Sequence, residues 1–127
     1  MKSPSKKIIN LSSRKYIAIL SILVIAIVIV AIPVNKPSAE KYYNKGVSLY
    51  EKYKYTEALS MFDKALKINP NMVDAWKYKG HSLARKTEYD KAIQCYDTAI
   101  ALDPNNEGAW LSKGNVFAFQ KKYIEAI

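Results

Sequence analysis

The chain has 127 residues, half of them apolar, and it carries 20 Lys and Arg against 11 Asp and Glu, for a formal net charge of +9. Its single cysteine excludes an internal disulfide, and its single histidine, with no second His or Cys nearby, leaves a zinc site without enough ligands. Its glycines form neither of the spacings that cradle phosphate groups, so we expect neither a metal nor a cofactor.

The first 15 residues are basic and precede a long apolar run. They contain five basic residues and no acidic one, which is more than half of the net charge. Residues 16–34, YIAILSILVIAIVIVAIPV, carry no charge, and as a helix they would be about 28 Å long, close to the ~30 Å of a bilayer core. This pattern predicts a basic cytoplasmic segment over residues 1–15 and a transmembrane helix over residues 16–34 in contact with the lipid bilayer.

The apolar run leaves open whether the N-terminal segment is cleaved. A basic start is typical of a secretory signal, but the run is long for one and no good A-x-A site follows it. We therefore favour an uncleaved signal anchor. Because basic residues are in excess before the run, the positive-inside rule places the N-terminus in the cytoplasm. Residues 39–127, after a linker over residues 35–38, are then expected on the extracytoplasmic side of the cell membrane.

From residue 39 onward the sequence repeats itself every 34 residues. Aromatic, glycine and alanine residues recur at this interval, and a proline after Asn or Asp closes each of the first two units. The repeat predicts two full units, residues 39–72 and 73–106, and a partial unit, residues 107–127. The recurring residues are Tyr42, Trp76 and Trp110; Gly46, Gly80 and Gly114; Tyr55, Tyr89 and Tyr123; Ala58, Ala92 and Ala126; Phe62 and Tyr96; Ala65 and Ala99; Pro70 and Pro104.

Each unit has the pattern of two packed helices. The aromatic residue, the glycine and an apolar residue at positions 4, 8 and 11 share one helical face. A glycine costs about 1 kcal/mol of helix propensity relative to alanine, so its recurrence indicates close approach of a second helix. Small alanines at positions 20 and 27, with a bulky ring at position 24, supply the complementary face. The proline at position 32 ends the second helix.

This pattern resembles the tetratricopeptide repeat, TPR. Residues 73–106 match it almost fully, and residues 39–72 match it with Tyr42 in place of Trp. Position 7, often Leu in the family, is Lys45, Lys79 and Lys113, which we interpret as snorkelling along the helix surface. The expected fold is therefore all-α, with one transmembrane helix followed by a TPR-type solenoid of antiparallel helix pairs. The resemblance indicates a membrane-anchored TPR-containing protein.

The third unit is incomplete. Its first helix is predicted in full, but its second helix has residues for one turn only, so Trp110 and Phe117 are left uncovered. Such repeats bury their faces by stacking and need a capping helix. Either the chain is part of a longer protein, which we favour, or the uncapped end self-associates or pairs with another molecule.

The resemblance implies that the first helices of the units line a concave groove that holds peptides. The family's clamp for a C-terminal carboxylate uses Lys and Asn at positions where this chain has Tyr43 and Val47, so the first unit lacks that clamp. Lys77 and Arg85 lie eight residues apart on one face and remain candidates for holding an acidic side chain. The groove candidates are Tyr43, Val47, Tyr50, Lys77, His81, Arg85, Leu111 and Asn115.

The remaining residues predict no catalytic site. His81 has no suitable nucleophile or orienting acid in the sequence pattern, and Cys95 takes the position that Met61 has in the first unit, which indicates packing. The basic excess lies mainly before the apolar run, which argues against nucleic-acid binding. We therefore predict a non-enzymatic, membrane-tethered scaffold or adaptor for a protein or peptide partner. The alternative is the N-terminal anchor and regulatory or spacer module of a longer enzyme or receptor.

Overall fold

Helices make up the secondary structure throughout the part of the chain that can be described. The structure is a computed structural model that describes the backbone of residues 5–31 and 36–127 and the side chains of residues 13–28 and 36–127. Within these ranges it contains six helices, which fall into two units, Met1–Lys36 and Pro37–Ile127. The all-α part of the predicted fold is confirmed.

The first unit contains one helix, α1 (Ser5–Ala31). Its only polar side chain between Tyr16 and Val28 is that of Ser21, whose hydroxyl donates to the Ile17 carbonyl at 2.6 Å. This bond back to the preceding turn satisfies the hydroxyl within the helix. The large apolar side chains described in α1 are exposed.

The structure does not support the predicted transmembrane helix. Among the described residues, no helix is long and apolar enough to cross a membrane. Residues 29–34 of the predicted span lie outside the residues whose side chains are described. The predicted single-pass membrane localisation, with a cytoplasmic N-terminus and an extracytoplasmic repeat domain, is contradicted by this finding, and the signal anchor and its bilayer contact are unsupported.

The second unit is a stack of helices in which each helix packs on the next. Its helices are α2 (Ala39–Glu51), α3 (Tyr55–Ile68), α4 (Val73–Arg85), α5 (Tyr89–Leu102) and α6 (Glu107–Ala126). The helices α2 and α3 form one hairpin and α4 and α5 a second, and α3 packs on α4 as α5 packs on α6. This arrangement is a solenoid of the kind that the 34-residue repeat predicts.

Glycine marks the closest approach within each hairpin. A Cβ atom at Gly46 would lie 2.5 Å from Cε1 of Phe62, and one at Gly80 would lie 2.6 Å from Cε1 of Tyr96. Both rings are fully buried, with 0% and 1% of their surface exposed. Since carbon atoms in contact are normally about 3.5–4.0 Å apart, no larger residue fits at either glycine unless the ring moves.

Two polar contacts recur between successive repeats. The indole Nε1 of Trp76 donates to the carbonyl of Pro70 at 2.8 Å, and that of Trp110 donates to the carbonyl of Pro104 at 3.0 Å. Each tryptophan at position 4 is thereby fixed to the turn that precedes its own helix.

The lysine at position 7 makes the second recurring contact. Lys79 pairs with Asp63 at 2.7 Å, and Lys113 pairs with Asp97; both aspartates lie at position 25 of the preceding repeat. The Nζ atom of Lys79 also lies 5.2 Å from the centroid of the Trp76 ring. The interpretation of these lysines as merely snorkelling was incomplete, because two of the three join one repeat to the next.

The partial third unit differs from the prediction. The two complete hairpins turn through a residue with positive φ at position 15, Tyr53 at 60° and Thr87 at 62°. In α6 the helix runs without interruption to Ala126. A turn is favourable only if the returning helix buries a face against the first. Among the described residues no returning helix packs against α6, and α6 continues through the position of the expected turn.

Candidate functional site

A cavity of about 470 Å³ opens beside α4, α5 and α6 and reaches the last turn of α2. We call it the groove cavity. Four of the predicted groove candidates line it together, namely Tyr50, His81, Arg85 and Asn115. The complete lining is Tyr50, His81, Ala84, Arg85, Thr87, Tyr89, Tyr96, Ser112, Asn115, Val116 and Phe119.

The other four groove candidates lie outside this cavity. Tyr43 packs against the rings of Phe62 and Tyr78, and burial raises its pKa to about 12. Val47 is half-buried. Lys77 pairs with Asp74 at 2.8 Å, one turn before it on α4. Leu111 is exposed on α6.

A row of aromatic rings runs beside the groove cavity, and Tyr50, His81 and Tyr96 of this row line the cavity. The ring centroids of Tyr50 and Tyr78 lie 5.7 Å apart, those of Tyr78 and His81 5.5 Å, and those of His81 and Tyr96 5.5 Å. Tyr50 also contacts Tyr55 at 5.4 Å. These edge-on and tilted contacts are the arrangements that aromatic pairs favour. The row therefore holds α2, α4 and α5 at fixed separations around the cavity.

His81 is the ring that connects the groove to the core. Its Nδ1 forms a hydrogen bond of 2.8 Å with the hydroxyl of Tyr96, which is buried. Burial lowers the pKa of His81 below its usual value of 6.5, and the positive charges of Lys77 and Arg85 lower it further. Burial likewise raises the pKa of Tyr96. Both groups are therefore uncharged at neutral pH.

Arg85 supplies the positive charge of the cavity. It is the last residue of α4, and its guanidinium is exposed. A hydrogen bond to Tyr50 raises the pKa of Arg85 above its usual value, so it stays charged. Because the lining contains no carboxylate, this charge is available to an acidic group entering from solvent.

Comparison with known protein families identifies the repeat. One family model, described as "Tetratricopeptide repeat", matches residues 39–72, and another, described as "TPR repeat", matches residues 80–121. The chain contains tetratricopeptide repeats. Among curated proteins, no relative of the chain was found.

Several solved structures share the TPR fold of this chain. A crystal structure of MamA is 27% identical with a TM-score of 0.66, and the alignment covers 73% of this chain and 51% of that one. The second TPR domain of human RPAP3, in complex with an HSP70 peptide, is 20% identical with a TM-score of 0.61 over 62% of this chain and 66% of that one. The second TPR of Spaghetti (RPAP3), bound to an HSP90 peptide, is 21% identical with a TM-score of 0.65, and the alignment covers 72% of this chain and 85% of that one. This chain therefore spans about half the length of the MamA chains.

The TPR groove cavity combines an apolar part with a polar rim. Phe119, Val116 and Ala84 supply apolar surface beside the aromatic wall, while Arg85 and Asn115 supply polar groups. Cavities that bind ligands commonly join apolar walls to a few placed polar groups in this way. Among the described residues, no group of three or more His, Cys, Asp or Glu is placed to hold a metal ion.

Sequence reasoning missed several lining residues as site residues, notably Tyr96, Thr87, Ser112 and Val116. For Tyr96 a signal was present. It takes position 24, where the first unit has Phe62, and a tyrosine hydroxyl in a TPR core needs a hydrogen-bond partner. His81 in the same unit was available as that partner. Ser112 and Val116 carry no such signal, because their place in the cavity depends on how α6 packs on α5, and Thr87 lies in the turn between α4 and α5.

Proposed function

We propose that this chain is a non-catalytic TPR scaffold or adaptor that binds an extended or helical segment of a partner protein in the groove cavity. The observation that carries the proposal is the convergence of Tyr50, His81, Arg85 and Asn115, from three first helices of the repeats, on one cavity. Residues from separate repeats share no local reason to converge, whereas a peptide lying across the stack would touch all three helices.

The lining indicates the chemistry of the peptide. The apolar wall suits an aromatic or aliphatic side chain, and the charged Arg85 suits an Asp or Glu close to it in sequence. Structural neighbours of the RPAP3 group bind the peptides SGPTIEEVD and SRMEEVD, which are acidic at their ends. This chain lacks the first-unit clamp at Tyr43 and Val47, so we expect an acidic peptide to be held at Arg85 instead.

Selection from a random displayed peptide library with the full chain tests this function. We expect enriched peptides to pair an apolar side chain with an acidic one. Arg85→Gln is expected to weaken binding of the selected peptides about tenfold, because charged hydrogen bonds contribute roughly 1.5–3 kcal/mol. Lys67→Gln is the matched control, since Lys67 is an exposed lysine of α3 outside the groove cavity. Failure to enrich any peptide, or equal loss in both variants, would disprove the proposal.

A further inference from the structure

The outer face of α2 carries a row of exposed lysines. Lys41, Lys45 and Ser48 of α2 and Lys52, the residue that follows α2, are all exposed, and we call these four residues the lysine stripe. At 100° per residue they fall within a sector of about 60°, and they extend over about 16 Å of helix. Among the described residues, none of the three lysines has an ion-pair partner. None of the four residues lines the groove cavity.

In the other two repeats, the helix face that corresponds to the lysine stripe packs against the preceding helix. On α4 the equivalent positions begin with Ala75, Lys79 and Ser82, which face α3; Ala75 and Ser82 are fully buried, and Lys79 pairs with Asp63. On α6 they are Ala109, Lys113 and Val116, which face α5, and Lys113 pairs with Asp97. Wherever this register is covered, the covering helix places an aspartate on the lysine at position 7. Lys45 is the only one of the three without that aspartate among the described residues.

The chemistry of the stripe differs from that of the covered faces. Lys41 stands where α4 and α6 have Ala75 and Ala109. Lys52 stands where α6 has Gln120 and where α4 is followed by Lys86, which pairs with Glu88 at 3.2 Å. An apolar helix laid on α2 would remove the ammonium groups of Lys41 and Lys52 from water without compensating them, which is costly. A helix that carries carboxylates would compensate them. The stripe is therefore complementary to an acidic helical surface rather than to another apolar repeat.

The narrow distribution of positive charge on α2 favours a helix as the binding partner over a flat anionic surface. Glu40 and Glu51 lie on α2 about 90–110° around the helix from the centre of the stripe. They limit the positive region to a narrow line on that side. A row of carboxylates on one helix can follow such a line, whereas the headgroups of a membrane would also meet the two glutamates.

We propose that the lysine stripe docks an acidic helix of a partner protein, with one carboxylate held by Lys45 as Asp63 is held by Lys79. This surface is separate from the groove cavity, so it does not depend on the proposed function. The partner helix would carry Asp or Glu at a spacing of i, i+4, i+7 and i+11, which matches the stripe in either direction. One molecule of the protein would then contact partners at both its groove and its outer edge.

A synthetic alanine-rich helix of about 18 residues with Glu at this spacing is the probe, and the same helix with Gln is its control. Binding to the full chain is measured by fluorescence anisotropy at several salt concentrations. We expect the Glu helix to bind and the Gln helix not to bind, with affinity falling as salt rises. The double variant Lys45→Gln and Lys52→Gln should bind about tenfold more weakly. The control pair Lys67→Gln and Lys122→Gln removes the same charge elsewhere and should change affinity less than twofold.

Two results would overturn the proposal. Equal weakening in the two double variants would show general attraction rather than a docking site. Failure of the Glu helix to bind would also overturn it, and Lys45- and Lys52-dependent sedimentation with vesicles of phosphatidylcholine and phosphatidylserine would then assign the stripe to lipid headgroups. Neither result bears on Arg85, so the groove proposal is tested independently.

Discussion

His81 shows how one polar substitution in a repeat core is accommodated. The first unit has Phe62 at position 24, and the second has Tyr96, whose ring is buried to the same extent but adds a hydroxyl. An unpaired buried hydroxyl would cost roughly 1–3 kcal/mol. His81 accommodates it through the 2.8 Å hydrogen bond, and no buried side-chain polar atom among the described residues lacks a partner. The histidine therefore supports both the core and the groove wall.

The pKa of His81 leads to a prediction about stability. Because its folded pKa is lowered below 6.5, the unfolded chain binds more protons as pH falls below about 6.5. The contribution of neutral, buried His81 to the free energy of unfolding is therefore present above pH 6.5. It is lost as the pH falls toward the pKa of His81 in the folded chain. We expect the melting temperature to fall between pH 6.5 and pH 5, and His81→Asn to reduce that fall.

The measurement is thermal unfolding monitored by circular dichroism at several pH values. His81 is the only histidine in the chain, so no other imidazole contributes. Tyr96→Phe serves as the companion variant, because it removes the hydroxyl but leaves the buried imidazole among Tyr50, Tyr78, Lys77 and Arg85. If the melting temperature of His81→Asn depended on pH as that of the unchanged chain does, His81 would not be the group responsible for the pH dependence.

At the level of the helices, position 8 reveals whether a second helix covers the first. Gly46 and Gly80 face the rings of Phe62 and Tyr96 at distances that exclude a Cβ atom. At Gly114 a Cβ would meet nothing within 4 Å, because no helix among the described residues covers that face of α6. The same residue at the same repeat position is thus required by packing in two helices and is only a helix-weakening residue in the third.

Alanine substitution should separate these two roles. Gly80→Ala is expected to destabilise the chain by about 1–3 kcal/mol, because the added methyl group overlaps the Tyr96 ring. Gly114→Ala is its matched control and is expected to stabilise the chain by up to about 1 kcal/mol through helix propensity alone. Urea unfolding of both variants against the unchanged chain gives the comparison. If the two variants shift the midpoint in the same direction, the glycine contacts are not as described.

The helices also show what a repeat pattern can and cannot predict. The helix pairs follow from glycine, alanine and proline at fixed positions, because each has a local reason to be there. The pairing of Lys79 with Asp63 lies beyond such reasoning, since it depends on the rotation of α4 against α3. The same holds for the groove cavity, where Arg85 and Asn115 meet through packing between repeats. The continuous α6 was not predicted because the sequence carries the pattern of a turn there, and no helix among the described residues packs back against α6.

At the level of the whole molecule, burial is uneven along the stack. The main core cluster contains Leu83, Ala92, Cys95, Tyr96 and Val116, from α4, α5 and the first half of α6. Burial raises the pKa of the Cys95 thiol to about 11, consistent with an unreactive packing residue. By contrast, residues 121–127 are all exposed, as are Trp110 and Phe117 on the uncovered face of α6. Self-association through this face stays a prediction.

This uneven burial predicts a gradient of local stability. In stacked repeats, each helix is stabilised mainly by its neighbours, so the two end helices, α2 and α6, open before α4 and α5. We expect amide hydrogens of α4 and α5 to exchange at least about 100-fold more slowly than those of residues 121–126, as measured by hydrogen exchange and NMR. Phe62→Ala, at a fully buried ring, should accelerate exchange in α2, α3 and α4, since large core truncations cost about 3–5 kcal/mol. Phe117→Ala, at a ring that is 50% exposed, should leave α4 unchanged. Uniform protection from α2 to the end of α6 would instead mean that the second unit opens all at once and that the uncovered face of α6 is protected in solution.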